Sequence, residues 1–298
     1  MSDTHELQEL KQRCALLQGL LDNMSYPPGH FYSPLVDVDD VHAIRAVRER
    51  LSAAQPAGVA FDHDAMKAML KRLAAHYGLF PFHKDHGGAN RFHYDNPFFG
   101  CHDAAVYFSM LFEFRPKRVV EIGSGFSSRL LLDTSERFFG GETGITLIDP
   151  SPGTLDDLRP TARTRMLNCP VQEAPPDLFD QLEANDILFV DSSHVGKTGS
   201  DVNHYLFQIL PRLKAGVIIH IHDIFWPFEY LAEWVLTDKR SWNEAYLIHA
   251  FLQYNDAFEI LYWNNYASHF MGADLKETMP LCLGNEGGSL WIRRKLTA

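Results

Sequence analysis

Four short apolar blocks, each with an acidic residue within two positions of its end, constrain this chain more than any other feature. They are "RVVEIG" (118–123), "GITLIDP" (144–150), "DILFVD" (186–191) and "GVIIHIHDIF" (216–225). Stretches that suit helices lie around them, at 103–114, from Ser127 to about Phe138, and at 201–213. A strand covered on both faces reads as a near-continuous apolar run, and strands alternating with helices predict a parallel, doubly wound α/β sheet. A weaker strand is expected near "RTRMLN" (163–168). The end of the chain differs: a long helical stretch (228–253) precedes "FEILYWN" (258–264) and "GSLWIRRK" (288–295), which suit an antiparallel hairpin at the sheet edge.

The first hundred residues read as a helical segment, a lid or substrate wall set before a domain at 101–298. Leu7, Leu10, Cys14, Leu17, Leu21 and Met24 alternate at spacings of three and four, which is a helix with a narrow apolar seam. The helix is too short for a coiled coil that stands by itself, so the seam packs either on its own domain or on a second subunit, making a homodimer through this helix one of two readings. "YPPG" (26–29) stops the helix. Asp39 and Asp40 cap a second amphipathic helix through Val41, Ile44, Val47 and Leu51, and Asp62 caps a third through Met66, Met69, Leu70 and Leu73, ending at Gly78. "FPFHKDHGGANRFHYDNPFFG" (80–100) is aromatic and turn-rich, as a loop folded over a site would be.

Charge and cysteine usage exclude several classes of function. With 27 basic and 38 acidic residues the net charge is −11, and no long basic cluster offsets it, so nucleic acid is not an expected partner. Cys14, Cys101, Cys169 and Cys282 lie far apart and form no C-x-x-C pair, which argues against a disulfide framework and a structural zinc site. "MSDTHELQELKQRC" has no apolar signal core and no run approaches membrane-spanning length, so the expectation is a cytoplasmic protein with no membrane partner.

"VVEIGSGFSS" places a Gly-Ser-Gly turn between the first strand and its helix, where backbone can approach a nucleotide-bearing ligand. Ser128 stands where a dinucleotide fingerprint has its third glycine. Glu121, two residues before Gly123, would oppose a pyrophosphate and favour a cationic ligand such as an aminoacyl sulfonium. Asp149 closes the second strand, where a carboxylate can accept both ribose hydroxyls.

In these motifs the chain resembles the class I S-adenosylmethionine-dependent methyltransferases. "FYSPLVD" (31–37), "EIGSGFSS", "NDILFVDSSHVGKTGSDVN" (185–203), "IHIHDIFWPFEY" (219–230) and "GGSLWIRRK" are similar to a bacterial branch grouped with methyltransferase family 24. The resemblance runs from about residue 26 to 295 and implies a Rossmann-like fold with S-adenosylmethionine as cofactor. It implies that Glu121, Gly123, Ser124 and Gly125 hold the methionyl end, that Asp149 binds the ribose beside Pro150, and that Val171 and Gln172 flank the adenine. Tyr94 and Asn96 would reach the cofactor carboxylate or else stabilise their own loop.

Ligands of doubly wound sheets lie at the carboxyl ends of the strands. With the fourth and fifth strands adjacent, Asp191, His194, His222 and Asp223 converge there as a candidate chemical site. Methyl transfer to a hydroxyl needs an aligned acceptor and a group that takes its proton. His194, on a loop, is the first choice of base. A divalent ion is the rival account. Some relatives of the resembled class hold one with an Asp after strand four and an Asp-Asn pair after strand five, but here Ile224 replaces the Asn. A variant site from Asp191, His194, His222 and Asp223 stays open, although the proton is favoured over the ion. His220 is read as a core histidine. "HVGKTGSD" fails as a phosphate loop because Asp191 stands at the first glycine position, so Asp201 reads as a helix N-cap. Phe225, Trp226, Phe228 and Tyr230 either line an acceptor pocket or pack a helix start. The expected activity is O-methylation of a small hydroxylated acceptor, a sugar or specialised metabolite. An NAD-dependent oxidoreductase and a non-catalytic protein retaining the cofactor pocket are the alternatives.

Overall fold

In a computed structural model, which describes residues 2–52, 55–88, 90–151, 158 and 160–296, seven strands form one sheet. They are β1 (Arg118–Ile122), β2 (Gly144–Ile148), β3 (Thr164–Leu167), β4 (Ile187–Val190), β5 (Ile218–Ile221), β6 (Phe258–Trp263) and β7 (Leu290–Arg294), in the order β3-β2-β1-β4-β5-β7-β6. The first five are parallel, and β7 runs antiparallel between β5 and β6. The expected edge hairpin is therefore present, and its second strand is the one inserted next to β5. All four residues of β4 are fully buried, which accounts for its unbroken apolar run.

The strand order reverses between β1 and β4, opening a crevice at their carboxyl ends. Register sharpens this, because Ile122 pairs with Val190 and Val190 with Ile221. Gly123, Asp191 and His222 thus leave the sheet at one level, side by side.

The chain divides into two compact units, Met1–Arg50 with Leu231–Ser241, and Leu51–Tyr230 with Trp242–Ala298. The first holds α1 (Ser2–Asp22), most of α2 (Val41–Ser52) and α8 (Ala232–Leu236). The side chain of Leu51 lies outside the described residues. The second unit holds the sheet with α3 (His63–Tyr77), α4 (Cys101–Phe114), α5 (Phe126–Phe139), α6 (Asp177–Asp180), α7 (Asp201–His204), α9 (Glu244–Leu252), α10 (Asn264–Phe270) and α11 (Gly272–Thr278). Asp62 caps α3 as expected, its Oδ1 accepting from the Ala65 amide at 2.9 Å. The seam of α3 (Met66, Met69, Leu70, Leu73) is buried, and α4 is buried nearly all round.

Two local expectations need correction. Residues 228–253 are not one helix. Phe228 and Lys239 adopt left-handed backbone (φ 74° and 57°), which no continuous right-handed helix accommodates, so α8 and α9 form as separate short pieces. The cap of α7 is Ser200, whose Oγ accepts from the Asn203 amide at 3.2 Å. Asp201 is the first helical residue, and its carboxylate turns back to the Ser193 amide at 2.8 Å. Of the two readings for Phe225, Trp226, Phe228 and Tyr230, packing is the one that holds: all four are buried, Trp226 lies 5.2 Å from Trp263 and Phe228 stacks 4.7 Å from His249. They pack the chain after β5 rather than offering open faces.

Candidate active site

The turn after β1 is built on close approach. Gly123 has φ +82°, and a Cβ there would lie 1.8 Å from the Asp191 carbonyl oxygen, so only glycine lets the loop cross the end of β4. Gly125 differs, because a Cβ there would meet open space. Glu121 is fully buried behind the turn, with Oε1 accepting from the Ser127 and Ser128 hydroxyls at 2.6 and 2.8 Å. Ser128 also accepts from the Gly125 amide at 3.1 Å, which explains a serine where a dinucleotide site has glycine. Glu121 Oε2 has no hydrogen-bond partner among the described residues. Burial, first of all, pushes this carboxyl up to about 8.

A cavity of about 410 Å³ opens at the carboxyl ends of β1, β2 and β4. Gly123, Asp149, Pro150, Val171, Gln172 and Asp191 are among its lining residues. The volume is within the usual range for small-molecule pockets. Asp149 Oδ2 accepts from the Ser124 amide at 2.9 Å and Oδ1 from the Ser151 amide at 2.7 Å. A carboxylate has about four acceptor positions, and among the described residues two of them take partners. The Gln172 side chain donates to the Gly199 carbonyl at 2.7 Å and ties the wall after β3 to the loop before α7.

Beside this cavity lies a cluster of charged side chains, with Asp191 common to both. His194 Nε2 is 3.4 Å from Asp191 Oδ1 and 3.5 Å from Asp223 Oδ2, and its Nδ1 is 2.8 Å from Glu244 Oε2. His222 Nδ1 is 3.5 Å from both Asp191 Oδ1 and Asp223 Oδ1, and its Nε2 faces Asp103 Oδ2 at 3.9 Å. The outer carboxylates are firmly held. Glu244, the first residue of α9, also accepts from Tyr205 Oη at 2.7 Å and Ser192 Oγ at 3.1 Å. Asp103, in the first turn of α4, accepts from Asn264 Nδ2 at 2.9 Å and from the Ser289 amide at 3.0 Å. His194 and Asp223 both adopt left-handed backbone (φ 59° and 58°). Strain of about 1–3 kcal/mol per such residue persists only where the surroundings over-determine it, and it concentrates at functional sites.

Electrostatics fix the protonation states. Burial by itself would lower His194, but its bonds to Asp191 and Glu244 outweigh this and push it up to about 10. Burial would also lower His222, and the charges of Asp223 and Asp191 drive it well above its ordinary value. Asp191 and Asp103 run the other way: burial opposes ionisation, but the neighbouring histidines more than offset it and hold both well below the carboxylate range. Asp223 is raised, by burial first and then by Asp191. Both imidazoles are thus shifted towards the protonated form, His194 up to about 10, which favours the cation over a neutral base in this arrangement. Four carboxylates against two imidazoliums leave the mouth electronegative.

All four expected chemical residues converge, whereas the cofactor candidates separate. Gly123, Asp149, Pro150, Val171 and Gln172 line the cavity, Ser124 and Gly125 form its loop, and Glu121 lies behind it. Asn96 has its amide committed locally, accepting from the Phe98 and Phe99 amides at 3.0 and 2.7 Å and donating to the His93 and Phe99 carbonyls at 2.7 and 2.9 Å. Tyr94 sits in the same loop, its amide donating to the His83 carbonyl at 3.1 Å. Asp103 and Glu244 were missed. A charge inside the apolar helix "CHDAAVYFSMLF" was the available signal for Asp103, because a lone buried carboxylate needs partners. Glu244, in "SWNEAYL", gave none. Asp191, His194 and Asp223 each offer one ligand atom within 4.8 Å of the others, a group that can hold a divalent ion. Ile224, fully buried, contributes nothing to it.

Residues 120–224 match the family model described as a methyltransferase domain, family 24. An uncharacterized protein of Archaeoglobus fulgidus is 30% identical over 175 residues, covering 54% of this chain and 76% of the relative. Among solved structures, an apo structure of CmcI is similar at a TM-score of 0.42 and 17% identity, covering 67% of this chain and 73% of the other. PKMT2 of Rickettsia typhi in complex with AdoHcy is similar at a TM-score of 0.36 and 12% identity, covering 62% and 50%. The glycine turn, the strand-end carboxylate and the family match lie on one stretch of sequence, and the chain belongs to the class I S-adenosylmethionine-dependent methyltransferases of family 24, with S-adenosylmethionine as its cofactor.

Proposed function

We propose that the protein methylates a hydroxyl oxygen of a small acceptor, a sugar or specialised metabolite, by in-line transfer. The observation that carries this reading is Asp191, which lines the cavity and belongs to the His194–Asp223 cluster at the same time. The cofactor fits the first half of that arrangement. Glu121 Oε2 is buried with no partner among the described residues, and the ammonium of the methionyl end would favour its ionised form, while Gly125 leaves its side of the turn open. Asp149 retains acceptor capacity for the ribose, and Val171 gives the adenine an apolar wall. When bound, S-adenosylmethionine supplies an electrophilic methyl group on a positively charged sulfur.

The chain's own residues then have three tasks. The electronegative mouth favours a cationic centre beside it. Glu244 and Asp103 hold the two imidazoliums, and these in turn orient Asp191 and Asp223. The acceptor oxygen would take the methyl group as the carbon–sulfur bond breaks, its electron pair leaving with S-adenosylhomocysteine, and the hydroxyl proton would pass to a carboxylate. Asp223 suits that role, because its raised pKa makes it the strongest base among the inner carboxylates. His194 keeps its proton, and the His/Asp base becomes a carboxylate buttressed by histidine. A divalent ion held by Asp191, His194 and Asp223 would polarise the acceptor oxygen, but it would have to displace the His194 proton, so the proton stays the favoured occupant.

Transfer of labelled methyl from S-adenosylmethionine to a panel of sugars and phenolic or polyketide alcohols tests the reading. Asp223→Asn should lower turnover by about 10²–10⁴-fold while S-adenosylhomocysteine binds within about threefold of wild type. Turnover within a few-fold of wild type removes Asp223 from the role. Calorimetry separates the oxidoreductase alternative, which requires NADH to bind more tightly than S-adenosylhomocysteine.

A further inference from the structure

Helix α1 leaves its apolar seam uncovered. Leu7, Leu10, Leu17 and Leu21 are 53, 55, 50 and 56% exposed. With Cys14 they occupy alternating a and d positions of a heptad: Leu7, Cys14 and Leu21 at a, Leu10 and Leu17 at d. Five successive layers of one stripe along a 21-residue helix are a self-complementary surface, and the partner such a stripe fits is another copy of itself. Leu20, 56% exposed at a g position, widens the stripe.

We propose that two copies of this chain pair through α1 as a parallel, in-register, two-stranded coiled coil. Charge decides the orientation. In a parallel pair each g position faces the e position of the next heptad on the other strand, which sets Glu6 against Lys11 of the second copy, twice by symmetry. The next such pair, Arg13 with Gln18, is neutral to the arrangement. Antiparallel pairing sets e against e and g against g. With the apolar layers overlapped, Lys11 then meets Lys11 or Gln18 and Arg13 meets Arg13 or Leu20; Glu6 meets Arg13 only in a register that leaves two apolar layers in contact. In the parallel register the two Cys14 side chains share one layer, and Cys14 is exposed in the single chain.

Sedimentation velocity of the full chain across the micromolar range tests this, with dimer expected. Leu10→Glu/Leu17→Glu should give monomer with unchanged thermal unfolding and S-adenosylhomocysteine binding, which keeps this result separate from any failure of the catalytic reading. Lys11→Glu should weaken dimerisation about tenfold, and Glu6→Lys/Lys11→Glu should restore it, because the pair is re-formed with its signs exchanged. Mild oxidation should trap a reducible dimer that Cys14→Ser abolishes. A monomeric or trimeric wild type, a dimer that survives the double glutamate variant, or a charge exchange that fails to rescue overturns the proposal.

Discussion

The middle of β5 and its carboxyl end carry the same residue type two positions apart and use it in opposite ways. His220 and His222 share one face of the strand, their ring centroids 5.8 Å apart. His220 is fully buried, stacks 3.7 Å from Phe189 and bonds Ser289 Oγ at 2.8 Å, and burial drives its pKa well below the ordinary value, so it is neutral. His222 is almost as buried, yet it stands among Asp103, Asp191 and Asp223 and is charged. Depth along a strand decides the difference. One residue pair toward the mouth, apolar walls give way to carboxylates, and the energetic preference reverses from the neutral to the charged form.

The sharpest way to break this comparison is to remove each histidine in turn. His222→Gln should cost about 10²-fold in turnover with S-adenosylhomocysteine affinity retained, because the inner carboxylates lose the cation that orients them. His220→Leu should leave turnover within about twofold and cost about 1–3 kcal/mol of stability through the stranded Ser289 hydroxyl. Interchanged outcomes would mean that the mouth has been assigned to the wrong residue. Gly123→Ala is expected to destabilise by about 1–3 kcal/mol in urea unfolding, since its methyl group meets the Asp191 carbonyl and its backbone is left-handed. A neutral Gly123→Ala would show that the turn can withdraw from β4.

The smallest effect is a slope. The folded chain keeps a proton on His194 up to about pH 10, whereas the unfolded chain releases it near 6.5, so the stabilisation is full below 6.5 and is lost on rising through 10. Glu121 acts in the same direction between about 4.5 and about 8, because its folded form resists ionisation. Urea midpoints should therefore fall as pH rises from 5 to 10, and Glu121→Gln should flatten the lower half of that fall. Midpoints that climb over this range would contradict the assigned protonation states.

Much of this was legible in the sequence. The continuous apolar run of β4 and the histidine-interrupted run of β5 gave parallel strands, the Gly-Ser-Gly turn gave the loop at the crevice, and the strand-end acids gave Asp149, Asp191 and Asp223. Those signals are local, since a strand buried on both faces must be apolar wherever it lies. Helix α9 illustrates what was not legible. Its composition fits a longer helix, and the left-handed Lys239 that separates it from α8 is a backbone state no residue type at that position announces. The sequence likewise pointed to His194 as a neutral base, because its partner Glu244 is 50 residues away and nothing nearby hints at it.

By itself, then, the sequence determined the sheet, the glycine crossing and the family, because periodicity and short-range sterics are properties of neighbouring residues. Only the tertiary structure decided where the charges rest. Asp103 from α4 and Glu244 from α9 reach the same mouth across 141 residues of chain, and their fields turn two histidines from candidate bases into cations that hold Asp191 and Asp223 in place. Protonation depends on what surrounds a group in space, and spacing along the chain carries no record of that.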